Sequence, residues 1–289
     1  MMSARFLTVV LERAFNMRDG FGREIDYMRI SVIDSCNLNC YYCNPCDNNE
    51  HCHALNILSV KEVLCIVRAA TRLGIKHFRL TGGEPLLHPQ LDEMVLQIKK
   101  IPGVSSVSLT TNAVLLVQHA KWLKEAGIDS INVSLDTIDA SEYEHITKKP
   151  LLEEVKHGIN AAIECGIRVK INVVLTPQTD VVALTRYVAK KGTDIRFIEM
   201  MPVGEGHTNG VEPYKKVIGT LSKLYGEPCR INTEKTKEIN SGNDKRKIPD
   251  NGPAEYYIFP ELGIRVGLIQ AIHGKFCDTC NRIRVTADG

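Results

Sequence analysis

The sequence predicts an α/β fold, a partial (βα)6 TIM-like barrel followed by a smaller C-terminal region. Three observations support this prediction. Short β-branched runs alternate with amphipathic helical stretches between residues 27 and 198. Glycine occupies the stop position after several of the helical stretches. The alternation ends near Met200 after six units, whereas a closed barrel of this type needs eight.

Six stretches predict the strands, because each is short, apolar and rich in β-branched residues. Strands that alternate with helices in this way form a parallel sheet with right-handed crossovers. The six stretches are residues 27–33, 77–80, 104–110, 130–135, 168–175 and 194–198.

Five stretches between them have the apolar periodicity of a helix that packs one face against a sheet. They are residues 61–72, 91–101, 116–126, 152–164 and 181–190. Gly74, Gly127 and Gly166 follow three of these helices at the position where glycine commonly ends a helix.

The chain becomes irregular after the sixth unit. We therefore divide it into a barrel of residues 20–201 and a C-terminal region of residues 202–289. Residues 232–253 are rich in Lys, Glu, Asn, Asp, Gly and Pro, which predicts a surface loop or linker. Strand-like residues return at 256–259 and 264–269 and predict an antiparallel hairpin.

The composition excludes several classes of protein. The 289 residues are 44% hydrophobic and 24% charged with a formal charge of +2, which is typical of a globular protein and not of a polybasic nucleic-acid-binding arm. The apolar runs are much shorter than the roughly 20 residues of a membrane-spanning helix. Residues 6–11 are apolar but lack the cleavage signature of a secretory signal. We expect a cytoplasmic protein that binds neither membrane nor nucleic acid.

Ten cysteines are the most informative part of the composition. A cytoplasmic protein of this length does not need a disulfide framework, so their positions require another explanation. Cys65 and Cys165 lie in apolar helical stretches, where we expect small buried side chains. The others include two clusters, which are Cys36, Cys40 and Cys43 after the first strand and Cys277 and Cys280 near residue 289.

The first cluster has three residues and then two residues between its thiols, in a loop that follows a barrel strand. Ligands and catalytic groups gather at that end of the strands in such barrels. Three close cysteines suit an iron–sulfur cluster with one iron left free, because a structural zinc ion normally takes four protein ligands. Zinc remains an alternative, with the fourth ligand drawn from Cys46, Cys52, His51 or His53.

A second motif, Gly82-Gly83-Glu84-Pro85, follows the second strand. Its glycines allow a backbone to approach a ligand closely, and its carboxylate and carbonyl groups can accept from an amino group. Together the two motifs resemble the pair that defines the radical S-adenosylmethionine enzymes. In that superfamily the three thiolates hold a [4Fe–4S] cluster whose open iron chelates S-adenosylmethionine, and the glycine-rich strand end binds the methionine amino group.

The resemblance extends from about Gly20 to Gly289 and is narrower than the superfamily. The chain is similar to the GTP 3′,8-cyclases, which catalyse the first step of molybdenum cofactor biosynthesis. The motifs that carry this likeness are Gly22-Arg23 ahead of Met28-Arg29-Ile-Ser, Leu109-Thr-Thr-Asn, Asn132-Val-Ser-Leu-Asp, Ile195-Arg196-Phe-Ile-Glu-Met-Met201-Pro202 and Cys277-Asp-Thr-Cys280-Asn-Arg282-Ile-Arg284.

The resemblance implies a role for each matching residue. The first cluster is held by Cys36, Cys40 and Cys43. The second [4Fe–4S] cluster is held by Cys277, Cys280 and a third cysteine further along. S-adenosylmethionine is contacted by Tyr42, Gly83, Ser134 and Met201. GTP is contacted by Arg29, Arg79, Thr110, Lys170, Arg196, Arg282 and Arg284. Several guanidinium groups suit a triphosphate, because their paired donors match phosphate oxygens.

Each of these residues also has an ordinary structural interpretation. A cation within an apolar strand can pair with a helix carboxylate on the outside of a barrel, as Arg29, Arg79 and Lys170 would then do. Ser134 and Thr110 are common strand residues, and Met201 can serve packing alone. Arg282 and Arg284 are two residues apart, so both lie on one face of an extended segment.

The sequence departs from the family pattern at its C-terminal end. The family's third cysteine and its tail with paired glycines would fall beyond Gly289. We expect the sequence to be a fragment, with replacement by Cys229 or Cys52, or loss of the second site, as the alternatives. Smaller departures are Ala113, where relatives usually have glycine, and His77, where some have lysine.

The resemblance also implies the reaction and its partners. A low-potential donor such as a ferredoxin or flavodoxin reduces the first cluster, and the resulting 5′-deoxyadenosyl radical takes the 3′ hydrogen of GTP. Attack of the ribose carbon on C8 gives 3′,8-cyclo-7,8-dihydro-GTP, on which a cyclic pyranopterin synthase acts. A homodimer is compatible with the family. The alternatives are a radical enzyme acting on a peptide or another nucleotide, and a zinc-stabilised binding module.

Overall fold

The computed structural model describes residues 17–43, 56–201, 213–231, 252–274 and 276–289. Its ten strands form one sheet in the order β10-β1-β2-β3-β4-β5-β6-β9-β8-β7. Within the described residues β10 and β7 are the edges and do not pair with each other, so the sheet is an open, partial barrel. The predicted fold class is therefore confirmed.

The strands from β10 to β9 in that order are all parallel to their neighbours, and β8 and β7 continue the sheet antiparallel. Their bounds are β1 Tyr27–Ser31, β2 His77–Thr81, β3 Ser106–Thr111, β4 Ser130–Ser134, β5 Val169–Leu175, β6 Asp194–Glu199, β7 Cys229–Ile231, β8 Glu255–Ile258, β9 Arg265–Ile269 and β10 Arg282–Val285.

Seven α-helices lie in the described ranges. They are α1 Val60–Arg72, α2 Leu91–Lys99, α3 Leu116–Glu125, α4 Ala140–Thr147, α5 Leu152–Glu164, α6 Val181–Lys190 and α7 Pro213–Tyr225. The five helices expected from periodicity are present. Gly74, Gly127 and Gly166 follow α1, α3 and α5 with φ of +91°, +89° and +69°, the left-handed conformation that favours glycine at a helix end.

The parallel strands alternate between an apolar outer face and a polar inner face. Outer residues such as Ile30, Phe78, Leu109 and Val133 are fully buried in the core that the helices cover. The inner face carries arginine, lysine, serine and asparagine, with Lys170 only 3% exposed. Burying cations is costly unless polar or charged partners surround them, so the inner face is polar throughout.

Two helices and one pairing pattern were not predicted. Helix α4 is short, and α7 lies where the sequence reads as irregular. The hairpin of β8 and β9 is present as expected, but β9 pairs with β6 and β10 pairs with β1, so the C-terminal region extends the barrel sheet on both sides. Cys229 begins β7.

The expectation for Cys65 is wrong. Its side chain is exposed on α1, because it occupies the helix face opposite the buried Val63, Val67 and Ala70. Cys165 is half-buried at the end of α5. The described helices include none with the length and apolar character needed to cross a membrane.

Candidate active site

The three-cysteine loop follows β1 at the C-terminal edge of the parallel strands. Helix α4 holds this loop from one side, since the N–H groups of Asn39 and Tyr41 donate to the carbonyls of Thr147 and Ile146 at 3.0 and 3.1 Å. The sequence contains a signal for this helix that the periodicity missed. Asp139 caps it by accepting from the Glu142 N–H at 2.8 Å, an arrangement typical of helix starts.

Gly82 and Gly83 pack directly against the backbone of the cysteine loop. The Gly83 N–H donates to the Ile33 carbonyl at 2.7 Å, and the Glu84 N–H donates to the Ser35 carbonyl at 2.7 Å. A β-carbon on Gly83 would overlap the carbonyl oxygens of Asp34 and Ser35. These glycines therefore allow two strand-end loops to lie in contact.

Glu84 is buried and faces the protein, not the open edge. Its carboxylate accepts from the Leu86 N–H at 3.0 Å, the Thr111 hydroxyl at 2.6 Å and the Asn112 N–H at 2.7 Å. Burial raises the pKa of Glu84, while those donors act in the opposite direction. Because its oxygens already have protein partners, Glu84 joins the ends of β2 and β3 and is not placed to receive an amino group.

Asn112 links the end of β3 to the cysteine loop. Its side-chain amide donates to Asn37 Oδ1 at 2.7 Å and lies 3.9 Å from Cys36 Sγ, within the range of a weak hydrogen bond to sulfur. The Glu84 carboxylate fixes the Asn112 backbone, so the two motifs that follow β1 and β2 are joined through β3.

Asp136, just beyond β4, also holds the cysteine loop. Its carboxylate accepts from the Tyr42 hydroxyl and from the Val174 N–H, the latter at 2.7 Å. Burial raises the pKa of Asp136 to about 6, and the two donors partly offset this effect. Asp136 therefore fixes Tyr42, a role that its place at the end of the motif Asn132-Val-Ser-Leu-Asp did not predict.

The three thiols lie close enough to influence one another. Burial raises the pKa of Cys40 to about 12, with smaller contributions from the charges of Asp136, Cys43 and Cys36. Burial likewise raises the pKa of Cys36 and of Cys43. Thiols whose pKa is raised in this way become fully ionised only when a strongly cationic group binds them, so the donor set fits an iron–sulfur cluster.

The described residues do not form a site for a single zinc ion. Within the described ranges no three His, Cys, Asp or Glu side chains converge on one metal position. The thiolates of an iron–sulfur cluster bind different irons and do not need to converge. The fourth zinc ligands considered from the sequence, Cys46, Cys52, His51 and His53, lie outside the described residues.

The residues expected to contact S-adenosylmethionine lie at the same edge of the sheet. Gly83 and Ser134 are exposed at the ends of β2 and β4, and Met201 is 53% exposed two residues after β6. Tyr42 is half-buried within the cysteine loop. The parallel direction of the strands brings these four residues to one end of the barrel.

The residues expected to contact GTP all point to the barrel interior. Arg29 is the register partner of Arg79 on β2 and of Arg284 on β10. Thr110 is the partner of Asn132, and Asn132 is the partner of Lys170. Asn172, which follows Lys170 on the same face of β5, is the partner of Arg196. Because side chains alternate along a strand, this register places all seven on one face. The seven are Arg29, Arg79, Thr110, Lys170, Arg196, Arg282 and Arg284.

A cavity of about 470 Å³ opens on that inner face. Five of the seven residues line it, while Thr110 and Arg284 do not. The lining also includes Arg168 and His77. The described lining thus contains six guanidinium or ammonium groups, from Arg29, Arg79, Arg168, Lys170, Arg196 and Arg282, against the single carboxylate of Asp129.

Several of these cations are held in place by neutral partners. Arg79 Nε donates to the Ser108 hydroxyl at 3.1 Å, and its guanidinium lies 5.6 Å from the centre of the Tyr27 ring. Arg196 Nη2 donates to Asn132 Oδ1 at 2.6 Å. Burial, with a smaller contribution from the charge of Arg79, lowers the pKa of Arg29 to about 10. The described lining therefore carries more cationic than anionic side chains.

The second cysteine motif lies at the opposite end of the barrel from the three-cysteine loop. Cys277 and Cys280 precede β10, which runs parallel to β1, so they lie at the N-terminal ends of the strands. Arg23 Nη1 donates to the Cys277 carbonyl, and Arg23 Nε donates to Asp19 Oδ2 at 2.6 Å. Two cysteines fit part of a cluster's ligand set and cannot complete it.

Two family models match the chain. The model of the radical SAM superfamily matches residues 30–184, and the model called Molybdenum Cofactor Synthesis C matches residues 193–289.

Curated relatives are similar over almost the whole chain, and each is named GTP 3′,8-cyclase. The relative from Clostridium perfringens SM101 is 37% identical over 276 residues, which cover 94% of this chain and 81% of the relative. The relative from Pelotomaculum thermopropionicum is 38% identical over 280 residues, which cover 94% and 82%.

Solved structures show the same fold at low sequence identity. Streptococcus suis SuiB bound to S-adenosylmethionine has a TM-score of 0.57 and 17% identity, covering 69% of this chain and 47% of SuiB. The enzyme anSMEcpe with bound AdoMet has a TM-score of 0.56 and 18% identity, covering 69% and 60%. At such identities the likeness concerns the fold alone.

Proposed function

Because the chain belongs to the GTP 3′,8-cyclase family of radical S-adenosylmethionine enzymes, we propose that it is a lyase converting GTP to 3′,8-cyclo-7,8-dihydro-GTP in the first step of molybdenum cofactor biosynthesis. The observation that carries the proposal is the cation-lined cavity on the barrel interior. This cavity lies on the inner face of the sheet. The three-cysteine loop is at the C-terminal ends of the parallel strands, and the cysteine pair is at their N-terminal ends.

The cavity suits a nucleoside triphosphate better than a neutral substrate. Its described lining has five more cations than carboxylates, and the Asp129 carboxylate already accepts from Lys99 Nζ at 2.8 Å and from the Val107 N–H at 2.7 Å. A polyanion would relieve the repulsion among the guanidinium groups and supply acceptors for their donors. A peptide of ordinary charge would do neither.

In this proposal Cys36, Cys40 and Cys43 hold a [4Fe–4S] cluster. When bound, that cluster and S-adenosylmethionine supply a 5′-deoxyadenosyl radical that takes the 3′ hydrogen of GTP. The protein's own part is to position the reactants and exclude water. Glu84, Asn112 and Asp136 fix the cysteine loop, and the interior guanidinium groups orient the nucleotide by its charge.

The individual contacts are proposed from the residues that match the family. S-adenosylmethionine would be contacted by Tyr42, Gly83, Ser134 and Met201. GTP would be contacted by Arg29, Arg79, Thr110, Lys170, Arg196, Arg282 and Arg284. Cys277 and Cys280 would supply two ligands of a second [4Fe–4S] cluster, at the edge of the sheet where Arg282 begins β10.

The proposal also covers organisation and partners. Residues 20–201 would form the radical-generating barrel, and residues 202–289 would form a region that completes the nucleotide site. Support for this division comes from β9 and β10, which contribute Ile269 and Arg282 to the cavity lining. The reaction needs an external low-potential electron donor such as a ferredoxin or flavodoxin, and its cyclic product would be consumed by a cyclic pyranopterin synthase.

Anaerobic reconstitution tests the proposed function. Protein supplied with iron, sulfide, dithionite and S-adenosylmethionine should bind iron and sulfide and form 5′-deoxyadenosine, and GTP should be consumed in the same mixture. Cys40→Ser should abolish nucleoside formation, while Cys65→Ser, which alters an exposed cysteine of α1, should preserve it. Zinc without sulfide would indicate a binding module, and cleavage without GTP binding would indicate a different substrate.

A further inference from the structure

Arg168 immediately precedes β5 and lines the cavity, although none of the motifs quoted above includes it. Its carbonyl accepts from the Ile131 N–H at 2.9 Å, which fixes its backbone against β4. It lies two residues before Lys170, so the alternation of the extended chain turns both cations to the same face. The two-residue spacing that puts Arg282 and Arg284 on one face of an extended segment would also have identified Arg168 from the sequence.

The Arg168 guanidinium has an unused donor. Its Nη2 atom is buried and has no hydrogen-bond partner in the described part of the protein. A buried donor without an acceptor is costly, and a guanidinium group stays charged at any ordinary pH. An acceptor supplied by a ligand in the cavity would remove this cost.

The sheet register indicates what kind of ligand suits this position. In the strand register, Arg29 is opposite Arg79, Arg79 is opposite Ser108, and Ser108 is opposite Ser130. Ser130 lies beside Arg168, because the residues that follow them, Ile131 and Val169, are register partners. Guanidinium groups therefore stand at both ends of this row, with small serine side chains between them. The row leaves room for a group that has acceptor oxygens on several sides.

A phosphate meets these requirements and a purine edge does not. The guanine edge offers neutral acceptors, which bring no charge to a lining with six cations and one carboxylate among its described residues. A phosphate carries negative charge and presents oxygens in several directions, so guanidinium groups on both sides can donate to it. The excess of cations over carboxylates in the described lining therefore favours phosphate.

We propose that Arg168 binds a phosphate oxygen of the substrate's triphosphate, opposite Arg29 and Arg79. The assignment rests on the proposed function, in which this cavity takes GTP. It adds a phosphate ligand on β5 to the contacts that the family motifs imply.

Binding measurements on the full chain test the assignment without any cluster. Isothermal titration calorimetry with GTP and with inorganic tripolyphosphate compares the parent protein, Arg168→Gln, Arg168→Lys and Arg72→Gln. Losing one charge-assisted hydrogen bond should raise the dissociation constants of Arg168→Gln about 10- to 100-fold for both ligands. Arg168→Lys should fall between it and the parent. Arg72→Gln makes the same charge change at the exposed end of α1 and should bind like the parent.

The unfolding temperature of the ligand-free protein separates binding from structure. Arg168→Gln should be at least as stable as the parent, because it removes a partnerless buried donor from a cluster of cations. Loss of affinity for GTP with tripolyphosphate unaffected would overturn the assignment in favour of the base. Unchanged affinities, or a large fall in stability, would also overturn it. If the parent binds tripolyphosphate but not GTP, the proposed function fails, while weaker tripolyphosphate binding by Arg168→Gln still supports the phosphate contact.

Discussion

Gly267 of β9 gives Arg196 of β6 the space that its side chain occupies. The two are register partners in adjacent parallel strands, and a β-carbon at residue 267 would stand 2.6 Å from Cγ of Arg196. The ring of Tyr256 would be 3.0 Å from the same position. Arg196 then reaches Asn132 Oδ1 at 2.6 Å. Gly267 and Asn132 together determine where this cavity guanidinium lies.

Gly267→Ala should therefore affect both stability and substrate binding. Arg196 is 3% exposed, so its stem cannot move aside freely, and overpacking of this kind costs about 1–3 kcal/mol. The shifted guanidinium should also weaken GTP binding. Urea unfolding and GTP titration measure the two effects. Gly219→Ala on α7, where the added carbon meets nothing within 4 Å, should instead stabilise the protein by about 0.5–1 kcal/mol. Parent-like behaviour of Gly267→Ala would contradict this account of Arg196.

Gly83→Ala should prevent the cysteine loop from docking on the end of β2. The new carbon would meet the carbonyl oxygens of Asp34 and Ser35, which are backbone atoms and cannot turn away as a side chain does. We expect a clear loss of iron and sulfide after anaerobic reconstitution, measured per polypeptide. Gly20→Ala, which adds a carbon in open space, is the matched control and should load fully. Full loading of Gly83→Ala would show that the contact is dispensable.

Asp194 and Arg265 form an ion pair between β6 and β9 that is almost completely buried. Arg265 donates through Nε at 3.1 Å and also through Nη2. Asp194→Asn should lower the free energy of unfolding by about 3–5 kcal/mol, because it removes the negative charge from a buried ion pair. Lys156→Gln breaks the surface pair with Glu153 and should cost less than about 1 kcal/mol. Equal effects of the two substitutions in chemical denaturation would refute this distinction.

Glu199 predicts a dependence of stability on pH. Burial would raise its pKa, but donation from the Ile272 N–H, the His273 N–H and the His273 ring outweighs this effect and lowers the pKa below the ordinary 4.5. A carboxyl whose pKa is lowered by folding stabilises the protein fully above its unfolded pKa, and this contribution disappears as pH falls through the folded pKa.

The comparison of Glu199→Gln with the parent measures that contribution. The stability difference between them should be constant above about pH 5.5 and shrink as the pH falls below about 4.5. Denaturant unfolding at a series of pH values gives the difference. A gap that stays constant through the acid range would mean that the Glu199 charge contributes nothing.

Local periodicity was sufficient to predict the barrel strands and the helices that cover them, because an apolar face marks each helix and a stop glycine ends three of them. It was insufficient for pairings made across the chain. Nothing near Arg265 or Arg282 indicates that β9 lies beside β6 or that β10 lies beside β1. Helix α4 was missed although Asp139 and Glu142 mark its start, because it is too short for a strong apolar pattern.

The site was predictable where chemistry is carried by residue type and spacing, as in Cys36, Cys40 and Cys43. It was not predictable where tertiary contacts decide the role. Arg168 and Arg265 are both cations at strand positions, yet only the folded structure shows that Asp194 neutralises Arg265 while Arg168 Nη2 has no partner in the described residues. Glu84 was expected to receive an amino group and instead joins the ends of β2 and β3.

GTP labelled with deuterium at the 3′ position tests the central claim most directly. The reconstituted protein is incubated anaerobically with this substrate, S-adenosylmethionine and a reductant, and the 5′-deoxyadenosine is analysed by mass spectrometry. If the cation-lined cavity holds GTP for attack at its ribose, the nucleoside product carries one deuterium. Production of 5′-deoxyadenosine without deuterium, at a rate that GTP does not change, would contradict the assignment.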